Sequence, residues 1–104
     1  MKNIQELLKE KILIIDDDKA ICAWIGNIVS KMGLRFTSAH TISEGLSKAQ
    51  TEFYDVVFLD TQMPDGSGLE IISKLKLIGH APEIIIITAL GDPGRAIIRQ
   101  LSVC

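Results

Sequence analysis

The stretch Val56-Val57-Phe58-Leu59-Asp60-Thr61-Gln62-Met63-Pro64-Asp65-Gly66-Ser67-Gly68 decides the fold: an unbroken apolar run ends in a carboxylate and passes at once into turn-forming residues. Apolar runs without alternation are expected of strands covered on both faces. Two others match it, Ile12-Leu13-Ile14-Ile15 and Ile84-Ile85-Ile86-Ile87, and the first is followed by Asp16, Asp17 and Asp18. Leu34-Arg35-Phe36-Thr37-Ser38-Ala39 alternates more and suits an edge strand.

Helical patterns fill the intervals. Ile21, Trp24, Ile25, Ile28, Val29 and Met32 recur at helical spacing, and Gly33 stands where a left-handed cap is common. Thr41 with Glu44, and Ser67 with Glu70, have capping-box spacing, the first before Leu46 and Ala49, the second before Ile72 and Leu75 with Gly79 as a stop. Asp92-Pro93 fits an N-cap and first helical position, and Ile97, Ile98 and Leu101 predict a fourth helix to the chain end. The order βαβαβαβα predicts an α/β fold with a parallel sheet and right-handed crossovers, and ligand chemistry at the carboxyl ends of its strands.

With 104 residues the chain has room for one domain, and 47% hydrophobic with 23% charged residues is a globular composition. Residues 1–10 are expected to be an N-terminal extension and 11–104 the domain; Ile4, Leu7, Leu8 and Lys11 within or beside the extension have the spacing of a helical turn or two. A net charge of −2 gives no general attraction for nucleic acid or anionic membrane. The N-terminus lacks the apolar core of a signal peptide and no stretch approaches a membrane span, so a cytoplasmic location is expected. Cys22 and Cys104 lack metal-ligand spacing and are expected to be structural or incidental thiols.

The chemistry sits at the strand ends. Carboxylates converging on one rim repel each other unless protonated, paired or neutralised by a cation. All-oxygen ligands favour a hard ion such as Mg²⁺, which keeps coordination positions open for phosphate oxygens. A carboxylate such as Asp60 is then a candidate acceptor of a phosphoryl group, and the Thr88 hydroxyl a donor to a phosphate oxygen. Asp18 is read as an N-cap, Met63-Pro64-Asp65-Gly66 as a turn that shapes the site, Trp24 as core or interface packing, and His40 and His80 as surface histidines.

Taken together, Ile12 to Asp18, then Asp55 to Gly68, then Ile84 to Ala89 resemble the receiver domain of two-component response regulators over roughly residues 10 to 103. The resemblance implies a flavodoxin-like doubly wound sheet of order 2-1-3-4. It implies Asp60 as phosphoacceptor, Mg²⁺ as cofactor, and Asp16, Asp17, Asp60 and the carbonyl of Gln62 as metal ligands, with Asp16 acting through metal-bound water. It further implies that Thr88 hydrogen-bonds the phosphoryl group, that Gln62 and Leu90 tune access of water, and that partners are a sensor histidine kinase and an effector domain or output protein. No independent substrate turnover is expected of such a module.

The chain departs from that pattern after the fourth helix. A receiver continues with a fifth strand ending in a phosphate-binding lysine, then a fifth helix; none of Lys2, Lys9, Lys11, Lys19, Lys31, Lys48, Lys74 or Lys76 follows such a strand. A truncated receiver would leave the edge of its fourth strand and part of one sheet face bare, and homodimerisation through that surface is expected. The alternatives are a truncated receiver kept as an interaction module, a fragment of a longer regulator, and a phosphatase of the haloacid-dehalogenase type built on Asp16-Asp17-Asp18 with Thr88, which Ala20 argues against.

Overall fold

The computed structural model describes residues 10–79 and 81–89 together with the backbone of 96–101. Its main sheet contains β1 (Lys11–Ile15), β2 (Arg35–Ala39), β3 (Val56–Asp60), β6 (Glu83–Ala89) and β7 (Ala96–Leu101), in the order β2-β1-β3-β6-β7. The first four are parallel, and the expected order 2-1-3-4 is found in β2-β1-β3-β6. A small antiparallel pair, β4 (Gln62–Met63) and β5 (Gly66–Ser67), forms the turn after β3.

Helix α1 (Lys19–Lys31) starts on Asp18, whose carboxylate accepts from the Ala20 and Ile21 amides at 2.9 and 3.3 Å, so the N-cap reading of Asp18 holds. It ends at Gly33, whose φ of 83° an L side chain rarely adopts, as the sequence predicts. Helix α2 (Ile42–Thr51) starts on Thr41, whose Oγ1 accepts from the Glu44 amide at 3.1 Å. The third helical segment is shorter than its apolar spacing suggests. Ser67 caps it by accepting from the Leu69 amide, but the chain first makes a 3₁₀ turn over Gly68–Ile71 and then α3 over Ile72–Lys76.

Alternate strand residues split the core in two. Leu13, Ile15, Val57, Leu59, Ile84 and Ile86 pack on one face with Ile42 and Ala49 of α2, and with Ile71 and Leu75. On the other face Ile12, Ile14 and Ile87 pack against Cys22, Ile25 and Val29 of α1. Trp24 lies outside both clusters and is half exposed, so of its expected core or interface role the core part is corrected.

The fourth helix expected over Ile97, Ile98 and Leu101 is not formed. Residues 96–101 make β7, antiparallel to β6, with Ala89 opposite Ala96 and Ile84 opposite Leu101. The physical reason is tertiary. The β6 edge offers a row of unpaired amide and carbonyl groups, and a segment with two adjacent β-branched residues satisfies them as a strand. The β6 edge expected to be bare is therefore paired within the chain, and the sheet has a fifth strand, of opposite direction to the one the resemblance implies. The proposed cap Asp92-Pro93, the N-terminal residues 1–9, His80, Leu90 and Cys104 lie outside the described residues.

Candidate metal centre at the strand ends

Parallel pairing brings the acids together. Ile15 of β1 stands opposite Leu59 of β3, so Asp16, just past β1, and Asp60, the last residue of β3, stand side by side at the carboxyl edge of the sheet. One oxygen each from Asp16, Asp17 and Asp60 lies within 4.8 Å of the others, a set that could hold a metal ion. The three differ in surroundings: Asp16 is 3% exposed, Asp60 half-buried and Asp17 exposed.

The backbone around Asp16 is fixed from several sides. Its amide donates to the Ala39 carbonyl at 3.0 Å, and its carbonyl lies 3.1 Å from His40 Nδ1 and 3.3 Å from Cys22 Sγ. A carbonyl only accepts, so this contact places the proton on His40 Nδ1. His40 was expected to be an ordinary surface histidine; it is half-buried and anchors a site residue. Cys22, 4% exposed, is also drawn into this support, with burial raising its thiol above the ordinary value. The Asp16 carboxylate accepts from the Asp18 amide at 2.9 Å, and that of Asp60 from the Gln62 amide at 3.2 Å.

Electrostatics make this rim acidic in composition but proton-binding in practice. Burial first, and then the charge of Asp60, push Asp16 from 3.8 up to about 7, against the lowering pull of the Asp18 amide. Asp60 is raised too, chiefly by burial, and is relieved by hydrogen bonds from the Gln62 amide and from Asp16. Below about pH 7 and without a cation, the proton shared by this pair is favoured on Asp16, from which it is donated toward Asp60. All-oxygen donors, two of them raised by crowding and burial, are the chemistry of a hard divalent cation site.

The turn after Asp60, read from the sequence as shaping the site, is held by contacts that its composition does not reveal. Asp65 reaches across to the start of α2, where its two carboxylate oxygens accept from the Ile42 and Ser43 amides at 2.9 and 3.1 Å. Those amides hold its carboxyl below the ordinary value. Gly68 packs so close to the strand end that a Cβ there would lie 1.9 Å from the Asp60 carbonyl oxygen. Neither role leaves a signal beyond turn composition, because both partners are distant in sequence or are backbone atoms.

Gln62 opens β4, exposed, with its amide turned to Asp60. Thr88 follows Ile87, the residue opposite Asp60, and so occupies the same rim by register; its side chain lies outside the described residues. The structure thus brings together Asp16, Asp17 and Asp60, and places the backbones of Gln62 and Thr88 beside them.

A doubly wound α/β sheet whose strand ends converge three carboxylates defines a class of α/β domains with an acidic rim that could hold a cation. The response regulator receiver domain model matches residues 12–101, and the chain belongs to that family. Sporulation initiation phosphotransferase F of Bacillus subtilis is 33% identical over 86 residues, covering 83% of this chain and 69% of that protein. The KDP operon transcriptional regulatory protein KdpE of Escherichia coli is 33% identical over 75 residues, 72% of this chain but 33% of that protein. Among solved structures, a CheY-like receiver domain protein from Methanospirillum hungatei aligns with a TM-score of 0.75 at 30% identity, covering 83% of this chain and 69% of that one. Response regulator TrrA from Thermotoga maritima, solved in complex with Mg²⁺-BeF, aligns with a TM-score of 0.73 at 30% identity, covering 79% and 71%. Among the described residues, no helix is long and apolar enough to cross a membrane.

Proposed function

We propose that Asp60 accepts a phosphoryl group from the phosphohistidine of a sensor kinase, with Mg²⁺ held by Asp16, Asp17, Asp60 and the Gln62 carbonyl. The observation that carries this reading is the convergence of three carboxylate oxygens within 4.8 Å at the end of β3. The complex of Mg²⁺-BeF in the Thermotoga relative supports it. When bound, Mg²⁺ neutralises the rim and offsets charge that develops on the phosphoryl oxygens.

The residues divide the work. Asp60, deprotonated, offers a carboxylate oxygen to phosphorus; an O–P bond forms as the P–N bond to the donor imidazole breaks, and that imidazole nitrogen keeps the electron pair. The Gln62 amide, already on the Asp60 carboxylate, orients the attacking group. Asp16 must give up its proton before the rim can take the cation, so metal binding and proton release are coupled. Thr88 donates its hydroxyl to a phosphoryl oxygen. The phosphate-binding lysine that the resemblance implies is assigned to no residue. The domain modifies itself and turns over no independent substrate; an effector domain or output protein reads the change.

Intact mass after incubation with a small phosphodonor and Mg²⁺ tests the reading. One added phosphate is expected, lost in Asp60→Asn and in excess EDTA. A gain that persists in Asp60→Asn overturns it. Turnover of a generic phosphate ester lost in Asp16→Asn but kept in Asp60→Asn would establish the phosphatase alternative instead.

A further inference from the structure

The acids of the rim stand at the limit of the ladder that aligns them. Register sets Ile15 against Leu59, but Asp16 is already past β1, and the peptide that joins it to Asp17 lies beyond that pairing. What holds it is the junction between β2 and α2, a stretch that supplies no carboxylate to the rim. The Ala39 carbonyl accepts from the Asp16 amide at 3.0 Å, and His40 Nδ1 donates to the Asp16 carbonyl at 3.1 Å. A little further along the same stretch, the Ile42 and Ser43 amides donate to Asp65 of the turn after Asp60. One short segment thus grips the chain beyond both acids.

Of these grips, that of His40 reaches furthest into the site. The Asp16 carbonyl belongs to the peptide unit that links Asp16 to Asp17, and a planar peptide moves as one body with the Cα atoms at its two ends. Fixing its oxygen therefore constrains the direction in which two of the three converging carboxylates leave the backbone. Asp17 is exposed, so the peptide plane has more hold on it than packing has. The Ala39 contact fixes the peptide before Asp16 and leaves rotation of the one after it open. Cys22 Sγ, 3.3 Å away, shares the same oxygen, but a thiol is a weak donor beside an imidazole N–H.

We propose that His40 is a positioning residue of the acid rim: by donating Nδ1–H to the carbonyl between Asp16 and Asp17, it orients both carboxylates toward Asp60 and a shared Mg²⁺. This role rests on the reading of the rim as an Mg²⁺ site and adds to it a residue that ligates nothing itself. A rim oriented in advance takes a cation without having to order the peptide on binding, whereas a free peptide plane sets that ordering cost against affinity. Neutral imidazole carries a single N–H, so His40 holds its proton on Nδ1 and leaves Nε2 as an acceptor.

Titration calorimetry of the full chain with Mg²⁺ alone is the test, run on the unmodified protein, His40→Ala and His40→Asn. His40→Ala is expected to weaken Mg²⁺ binding about tenfold, the low end of what loss of an outer support costs a metal site. Asn carries Nδ2 on Cγ as imidazole carries Nδ1, so His40→Asn should recover most of that loss, and both variants should melt metal-free close to the unmodified chain. Equal affinity of His40→Ala and the unmodified chain overturns the proposal. An equal loss in both variants overturns it too, and would make His40 a packing residue. An unmodified chain that binds no Mg²⁺ overturns the reading of the rim and this role with it, whereas the two preceding results overturn the role of His40 alone. Heteronuclear NMR of the imidazole gives a readout that needs no variant to fold. The Nδ1–H tautomer is expected for His40 in the metal-free chain, and an Nε2–H tautomer overturns the proposal.

Discussion

The two ends of the sheet treat charge in opposite ways. At the amino end Lys11 Nζ lies 3.2 Å from Glu52 and 4.9 Å from the centre of the Tyr54 ring, and the Lys11 amide donates to Asp55 at 2.8 Å. Tyr54 donates its hydroxyl to Glu52, and burial together with that bond pushes its phenol up to about 12. At the carboxyl end Asp16, Asp17 and Asp60 converge, and among the described residues no basic side chain is paired with them. The difference teaches which end is structural. Charges satisfied within the chain hold strands in place, while charges left in excess can be completed by something from outside.

The sharpest way to break the comparison is to remove the excess. Asp16→Asn is expected to lower Mg²⁺ affinity at least about tenfold by titration calorimetry. The metal-free melting temperature should stay level or rise, because the amide oxygen can still accept from the Asp18 amide and the amide NH₂ can replace the protonated carboxyl as donor toward Asp60. A fall in both would mean that Asp16 is an ordinary structural acid.

Gly68→Ala should cost about 1–3 kcal/mol of stability in denaturant unfolding, since a Cβ placed 1.9 Å from the Asp60 carbonyl forces the turn or the strand end to move. The loss is expected to come with weaker Mg²⁺ binding, as the same displacement shifts Asp60.

A further effect follows from the raised Asp16. In EDTA its folded-state value of about 7 lies above the ordinary 3.8, so between these limits the native state binds more protons than the unfolded one. Stability should therefore fall as pH rises from about 4 to about 7, and saturating Mg²⁺ should flatten or reverse that slope in melts across the range. At the paired end the expected change is smallest. Lys11→Met breaks one ion pair with an exposed partner, and only a slight fall in melting temperature is expected, with Mg²⁺ affinity untouched.

What could be read from residues alone follows the same division between local and distant causes. Strands β1, β3 and β6 are legible because burial on both faces leaves an unbroken apolar run, and the acid rim follows because parallel strands bring their carboxyl ends to one edge. Strand β7 is not legible. Ile97, Ile98 and Leu101 fit a helical stripe as well as a strand, and the open β6 edge that decides between them is itself a product of the fold. His40 and Asp65 escaped for a related reason, since each acts on backbone atoms more than twenty residues away, a relation that no local pattern encodes.

The Asp65 fork has a kinetic meaning. The hairpin that follows Asp60 and the first turn of α2 share two hydrogen bonds, so the hairpin cannot swing away while both amides stay occupied. Solvent exchange of the Ile42 and Ser43 amides therefore becomes a clock for the opening of the acid rim, read at positions that touch neither cation nor phosphate.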